Sequence, residues 1–178
     1  MAYTFDEPKL GLLQINQVDS GTTMADGSTV VPTLPNKLGM IVRAFDPTYG
    51  EGEFILLKGV ASTAVGSLVT WDGTTYATTL CATTANQARP VAVSMAANTS
   101  ASTYSWYQIA GTAVAARTTG VKLNPTVAIG VTSTGKVGAS ASGKEILGAR
   151  SANAATVASA TTTVTVVLNR PHLQGRTS

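Results

Sequence analysis

The chain has 178 residues, of which 44% are hydrophobic and only 12% are charged, with a formal net charge of +3. This length suits one domain with one buried core, alone or with an extended arm, and leaves little room for two full domains. The net charge is too small to indicate a nucleic-acid partner, and no apolar run approaches the roughly 20 residues that span a bilayer. A surface so poor in charge favours close assembly with copies of the chain or with another protein, the alternative being a monomeric β-sandwich.

Charge is distributed unevenly along the chain. Residues 1–53 contain seven acids and three bases, a balance of −4. Since the whole chain carries +3, residues 54–178 must carry +7. The bases of the second part are spaced singly and form no cluster. An acidic first third and a basic remainder predict attraction between neighbouring copies, although evenly scattered surface charges give the same pattern.

The first segment, residues 1–49, is predicted to be an extended arm with little regular structure. It contains four of the seven prolines and turn pairs such as Asp26-Gly27. Its large apolar side chains are too numerous for a disordered tail, so they are expected to cover a surface. That surface is the protein's own core, a neighbouring copy or a different partner. The candidate partner-binding residues are Tyr3, Phe5, Leu10, Leu12, Leu13 and Ile15.

The remaining residues, 50–178, are predicted to form a β domain. Short runs rich in β-branched and aromatic residues alternate with Gly, Ser, Asn and Thr clusters. Strands are predicted at 38–45, 53–60, 67–71, 74–79, 89–95, 104–109, 112–117, 126–131, 136–139 and 161–168. One short helix is predicted near residues 144–150. The pattern predicts an all-β fold, an antiparallel β-sandwich or a jelly-roll-like β-barrel.

Two of these strands carry more specific predictions. The Asp72-Gly73 pair predicts a two-residue type I′ turn, because both central residues of that turn need positive φ. Alternation along residues 104–109 places Trp106 on one face of its strand and Tyr107 and Ile109 on the other. The neighbours of these aromatic residues are Ser, Thr, Gln and Ala rather than Arg or Lys, which favours core packing over a platform for nucleic-acid bases.

The residues that catalysis most often uses are scarce. His172 is the only histidine and lies six residues from the C-terminus, and Cys81 is the only cysteine. A Ser-His or Cys-His pair needs an imidazole, and a zinc site needs several His or Cys ligands. Cys81 is therefore predicted to be a small buried residue. We predict no catalytic residue, no cofactor and no metal site, so the chain is not expected to be an enzyme.

A hydrolase with paired carboxylates is the enzymatic alternative. Apart from the acids of the arm, it has only Glu51, Glu53, Asp72 and Glu145 to draw on. Such chemistry needs two acids held in a cleft, one of them desolvated. Glu51 and Glu53 flank Gly52 just before a predicted strand, and this arrangement is typical of a solvated strand entrance. The glycine–lysine pairs of the chain lack the spacing of a phosphate-binding loop.

An acidic, proline-containing first segment is followed by GEFILLKGVASTAVGSLVTWDGTTY at 52–76 and by YSWYQIAGTAVAA at 104–116. The order is an apolar strand, a Gly-Val pair, VGxxVT, an Asp-Gly turn, and an aromatic strand that ends in Gln-Ile with a Gly two residues later. These stretches resemble the small capsid decoration, or cement, proteins of tailed bacteriophages. The likeness covers roughly residues 53–131, and the Ser/Ala/Thr-rich segment 151–163 matches no element of that family.

The resemblance implies a structural virion protein on the outer surface of the capsid. Such proteins bind the outside of the expanded head, bridge neighbouring subunits of the major capsid protein and stabilise the shell. Self-association is also implied, with a homotrimer favoured over a homodimer, and many weak contacts then add through multivalency. No nucleic-acid, membrane or small-molecule partner is expected.

Two further expectations concern localisation and an alternative function. Residues 1–16 lack the charged-then-apolar pattern of a secretion signal, which predicts synthesis and folding in the host cytoplasm. The alternative function is a head- or tail-fibre adhesion module that binds a host surface glycan. Exposed aromatic side chains beside polar ones in a groove would favour that alternative.

Overall fold

The structure, a computed structural model, describes residues 1–7 and 10–175, in which there are fourteen β-strands and no helix. No helix long and apolar enough to cross a bilayer is therefore found in this part of the chain. The strands are β1 (Thr4–Phe5), β2 (Val18–Asp19), β3 (Thr22–Thr23), β4 (Val30–Val31), β5 (Ile41–Asp46), β6 (Gly50–Lys58), β7 (Leu68–Trp71), β8 (Thr78–Leu80), β9 (Val91–Ser94), β10 (Tyr104–Ala116), β11 (Ala128–Ser133), β12 (Lys136–Ala139), β13 (Glu145–Ser151) and β14 (Thr163–Leu173).

One large sheet contains twelve of these strands, and its main path runs β1-β5-β6-β10-β14-β13-β11-β12. Strands β7, β8 and β9 branch from this path because β9 pairs with both β10 and β7. Strands β3 and β4 form a separate hairpin. Every pairing between these strands is antiparallel. The prediction of an all-β antiparallel fold is confirmed, and the architecture is sandwich-like.

Strand β10 organises the sheet because its two edges pair with different strands. One side pairs with β6 from Tyr104 to Gly111, and the other side meets β2, then β9, then β14. The register with β6 shifts between Gln108 and Ala110. Gly111 follows with φ +90, and a Cβ there would lie 2.3 Å from the carbonyl oxygen of Glu51. Only glycine fits this approach, so the strand bends here without ending.

The buried apolar residues form three clusters. The largest lies among β7, β9 and β10 to β14. The second, called here the N-terminal cluster, has Ile15, Ala44, Phe54, Leu56, Met95 and Trp106 at its centre. The third contains Tyr107, Ile109 and residues of β6, β7 and β9. The predicted alternation along β10 is confirmed, since Trp106 and Tyr107 belong to different clusters and both are fully buried.

Two local predictions are wrong. The segment predicted as a short helix near 144–150 is strand β13, which pairs with β11 and β14 and carries a register shift between Leu147 and Ala149. The hairpin of β7 and β8 exists, but Trp71 pairs with Thr78, so its loop has six residues rather than two. Asp72 explains the difference: its Oδ1 accepts hydrogen bonds from the backbone N–H groups of Thr74 and Thr75 at 3.0 and 2.7 Å. This side-chain capping replaces the type I′ turn.

The first segment is not an extended arm separate from the β domain. Regular structure is sparse up to residue 40, where each strand has two residues, but β5 pairs with β6 along its whole length from Ile41 to Asp46. A boundary between residues 49 and 50 therefore falls in the turn of a hairpin. Strands β1 and β2 extend the same sheet by pairing with β5 and β10. The described chain is continuous in packing from its first strand onward.

Candidate partner-binding surface

The six residues predicted to bind a partner have three different environments. Ile15 is buried in the centre of the N-terminal cluster. Four others are half-buried and pack against that cluster: Tyr3, Phe5, Leu12 and Leu13. Leu10 is fully exposed. The structure thus brings five of the six together on the protein's own core, which is one of the three surfaces that the sequence left open, and leaves Leu10 exposed.

Aromatic contacts attach the beginning of the chain to the body. The ring of Tyr3 meets that of Phe54 edge-on, with centroids 4.8 Å apart, and Phe5 meets Trp106 in the same way at 6.0 Å. The hydroxyl of Tyr3 donates to the backbone oxygen of Thr112 at 2.8 Å. Edge-to-face pairs of this kind stabilise by about 0.5–1.5 kcal/mol beyond the area they bury.

A hydrogen-bond chain fixes the next part of the segment. The indole N–H of Trp106 donates to the backbone oxygen of Leu13 at 2.6 Å, and the backbone N–H of Leu13 donates to Asn36 Oδ1 at 3.0 Å. Asn36 is itself buried and its Nδ2 donates to the oxygen of Thr33 at 2.8 Å. Both backbone groups of Leu13 are therefore satisfied by side chains from elsewhere in the fold.

Asp46 connects the chain start to the β5–β6 turn. Its carboxylate accepts hydrogen bonds from the backbone N–H groups of Ala2, Thr48 and Tyr49, those from Thr48 and Tyr49 at 2.8 and 3.1 Å. Burial opposes ionisation of this carboxyl, but the three N–H donors outweigh it and lower the pKa of Asp46 below its ordinary value of 3.8. The ionised form is the one that holds the first residues in place.

This arrangement predicts an acid-sensitive contribution to stability. Because the pKa of Asp46 is lower in the folded protein, its stabilisation is present above the ordinary carboxyl value and disappears as pH falls through the folded-state value. We expect the Asp46→Asn variant to lose less stability than the wild type between about pH 5 and pH 1. Urea unfolding across this range measures the difference. Asp6→Asn, which changes an exposed acid of the same segment, is the control, and equal acid sensitivity of wild type and Asp46→Asn would contradict the role.

Exposed apolar side chains are concentrated in the first quarter of the sequence. Nine large hydrophobic residues are exposed in the described chain, and seven of them precede residue 46. Those seven are Met1, Leu10, Met24, Val30, Leu34, Ile41 and Phe45. Leu10 and Leu34 are the most exposed of these, and their segments adjoin, since the position of a Cβ on Gly11 would be 3.1 Å from Pro35 Cδ. We call the seven residues the apolar surface.

A charged cluster lies on β6 and its neighbouring strands. Glu53 stands between two arginines: Arg43 Nη2 is 3.4 Å from its Oε1, and Arg170 Nη2 is 3.1 Å from its Oε2. Both arginine side chains are largely exposed, so these ion pairs contribute little to stability. A shallow cavity of about 350 Å³ is lined by the three side chains and by Glu51. Both glutamates lie inside β6 rather than before it: Glu51 is exposed, as the sequence interpretation expected, whereas the Glu53 side chain is only 20% exposed because the two arginines cover it.

An apolar groove of about 150 Å³ lies beside this cluster. It is lined by Ile41, Ile55, Trp71, Pro90, Val91, Ile109, Arg170 and Pro171. The Trp71 ring stacks on Tyr76 with centroids 6.3 Å apart. The groove therefore places a partly exposed aromatic side chain next to a cation.

The residues considered for catalysis are dispersed. Cys81 is buried, as predicted, and burial raises the pKa of its thiol to about 12, which keeps it protonated. His172 is exposed on β14 opposite Leu147. Within residues 1–7 and 10–175, no three His, Cys, Asp or Glu side chains are grouped as metal ligands would be.

In comparisons with known proteins, no family model, no curated protein and no solved structure matches this chain.

Several structurally important polar residues carried no recognisable sequence signal. Asp19, nearly buried, accepts hydrogen bonds from the N–H of Gly21 and the N–H and hydroxyl of Thr33 at 2.7, 2.7 and 2.9 Å. Asn98 and Arg117 are buried: the backbone of Asn98 pairs with that of Thr63, its Nδ2 donates to the hydroxyl of Tyr107, and Arg117 donates to the backbone oxygen of Thr161, 44 positions away. The partners of these residues are set by the fold, so their roles could not be predicted from local sequence.

Proposed function

We propose that this chain is a non-catalytic virion protein of the decoration type, which binds the outside of a bacteriophage head and bridges subunits of the major capsid protein. The observation that carries the proposal is the concentration of seven exposed large apolar residues in the first 45 positions of a chain with few charges. Clusters of exposed apolar side chains mark interaction sites on otherwise soluble proteins. The resemblance of residues 52–76 and 104–116 to cement proteins supplies the identity of the partner.

The structure changes how the first segment would act in this function. A disordered arm pays a conformational entropy cost when it docks, whereas a segment already attached by Tyr3, Leu13 and Asp46 pays little. In this proposal the apolar surface docks as a preformed patch on a rigid β body. Copies associate on the head as homotrimers, with homodimers as the alternative, and their individual contacts add by multivalency.

Co-sedimentation with undecorated heads tests the proposal. Deleting the first residues would expose the N-terminal cluster, so surface substitutions are the better probe. We expect the Leu10→Asp/Leu34→Asp variant to bind at least about tenfold more weakly, because burying each leucine contributes about 1.5–3 kcal/mol. Val65→Asp changes an exposed apolar residue outside the apolar surface and should bind as the wild type does. Equal binding by the double variant and the control would remove this surface from the mechanism.

The groove at Trp71 favours a second candidate, a fibre adhesion module that binds a host surface glycan. An aromatic ring stacks on the apolar face of a sugar, and Arg170 beside it offers hydrogen-bond donors. Under this alternative, Trp71→Ala abolishes binding of the protein to host cells while the Leu10→Asp/Leu34→Asp variant binds normally. If the chain is a decoration protein, we expect no binding to intact host cells by the wild type, by Trp71→Ala or by the Leu10→Asp/Leu34→Asp variant.

A further inference from the structure

A row of alternating charges crosses one face of the large sheet from β1 to β14. The N–H of Asp6, just after β1, donates to the backbone oxygen of Arg43 on β5 at 3.2 Å, and Arg43 pairs with Glu53 on β6. Residues opposite each other on antiparallel strands project to the same face, so Asp6, Arg43 and Glu53 share one face. Arg170 on β14 completes the row, since its Nη2 is 3.1 Å from Glu53 Oε2. We call these four residues the charge row.

The face that carries the charge row is open to solvent. The side chains of Arg43 and Arg170 are largely exposed. Ile41 and Phe45, two positions to either side of Arg43 on β5, are 46% and 49% exposed. Ala44, which projects to the opposite face of β5, is buried in the N-terminal cluster. A partner that covers the open face therefore gains both apolar and charged contacts.

Two hollows lie on either side of Arg43, and each is lined by two acids. The hollow of about 460 Å³ next to β1 contains Asp6 and Glu7, and the cavity of about 350 Å³ described above contains Glu51 and Glu53. Arg43 lines both of them. The second hollow is also lined by small residues of β6 and β10, which leave room for a long side chain. Both hollows thus suit the arginine side chains of a partner.

The charge row is complementary to a reversed copy of itself. Sheets that pack face to face keep their strands within about 30° of each other. A second copy turned over about an axis parallel to the strands therefore presents its row in the opposite order, so that each base lies over an acid. Arg170 of the second copy meets Asp6, and Arg43 of the second copy meets Glu53. Twofold symmetry repeats each of these pairs.

We propose that the open face of β5 and β6 binds the same face of a second copy of this chain, with the charge rows reversed and a twofold axis parallel to the strands. Each arginine of the row enters a hollow of the other copy that contains two acids. The contact covers Ile41 and Phe45 and leaves head binding to Leu10 and Leu34, which lie outside β5. It deepens the self-association in the proposed function, on which it rests, by selecting the homodimer.

Charge-reversal variants of the purified full chain test this contact. Sedimentation velocity over a series of protein concentrations measures the monomer–dimer equilibrium, and we expect the wild type to dimerise reversibly. Asp6→Arg and Arg170→Glu each bring like charges together twice in the symmetric pair, so each should dimerise at least about tenfold more weakly. The double variant Asp6→Arg/Arg170→Glu has opposite charges at every position again and should dimerise as the wild type does. Circular dichroism checks that every variant is folded.

A mixture of the two single variants separates a specific contact from a general effect of charge. Asp6→Arg and Arg170→Glu should form a heterodimer with each other, because the reversed row of one then opposes the row of the other at all four positions. The matched control is Lys122→Glu, which reverses an exposed charge in the loop after β10 and should leave dimerisation unchanged.

A wild type that stays monomeric at every concentration overturns the proposal. A double variant or a mixture that dimerises as weakly as the single variants also overturns it. If the wild type is monomeric and Asp6→Arg binds undecorated heads more weakly, the face contacts the head rather than a second copy. The sedimentation experiment contains no heads, so its failure is distinct from a failure of head binding in the co-sedimentation experiment.

Discussion

Trp106→Ala is expected to lower the free energy of unfolding by about 3–5 kcal/mol, the usual cost of deleting a large aromatic side chain from a core. Trp106 is fully buried at the centre of the N-terminal cluster, and its indole N–H binds the backbone oxygen of Leu13. The substitution therefore removes packing and also releases the first segment of the chain. Urea unfolding followed by circular dichroism measures the loss.

A double-mutant cycle shows whether this loss involves the first segment. Phe5 lies edge-on to Trp106, so the effects of Phe5→Ala and Trp106→Ala should not add, with a coupling of about 0.5–1.5 kcal/mol. The milder Trp106→Phe variant keeps a ring but leaves the oxygen of Leu13 without its donor. Strict additivity of the Phe5 and Trp106 substitutions would contradict the packing of the first segment described above.

Arg117→Ala is expected to destabilise the protein by roughly 3–5 kcal/mol, because it deletes a large buried side chain together with the three hydrogen bonds that it donates to backbone carbonyl groups. Those carbonyls belong to two separate loops, so the guanidinium joins the segment after β10 to the segment before β14. We expect Arg117→Lys to be intermediate, because an ammonium group cannot reproduce the planar geometry of the guanidinium. Thermal and urea unfolding measure both.

The control for this prediction is Arg150→Ala. Arg150 is an exposed arginine on β13, and removing it should change stability by no more than about 0.5 kcal/mol. If Arg117→Ala were as mild as the control, the carbonyl contacts of Arg117 would contribute nothing to folding.

The strands that sequence predicted best are those whose pattern is local. The prediction for 136–139 coincides with β12, and those for 53–60 and 67–71 overlap β6 and β7 closely. Short runs of β-branched and apolar residues bounded by turn residues mark such strands without knowledge of their neighbours. The burial of Cys81 and the opposite faces of Trp106 and Tyr107 followed from equally local reasoning.

The strand predictions fail where residues distant in sequence determine the local structure. β10 was predicted as two strands because glycine and alanine at 110–111 look like a break, whereas the close approach of the Glu51 carbonyl makes Gly111 part of one bent strand. β13 was predicted as a helix because its own residues do not exclude one. Its pairing with β14 determines the strand. Pairing across the sheet overrides weak local preference.

The first segment shows the same limit of sequence-based prediction at the candidate partner-binding surface. Sequence indicated that its apolar residues must cover a surface, but not which one, because Leu13 and Trp106 are 93 positions apart and Tyr3 and Thr112 are 109 apart. Of the six candidates, Leu10 is the one that is fully exposed. The other residues of the apolar surface, such as Leu34, were not among the six candidates. Whether a side chain of this kind faces inward or outward depends on contacts that local pattern does not encode.

Amide hydrogen exchange of the isolated chain tests most directly whether its first residues are already folded onto the body. The N–H of Asp6 donates to the oxygen of Arg43, and the N–H of Leu13 donates to Asn36 Oδ1. We predict that both exchange at least about 100-fold more slowly than an unstructured peptide, as expected for groups that open only by local unfolding. Exchange of both amides at the rate of an unstructured peptide would show a free arm and contradict the preformed surface.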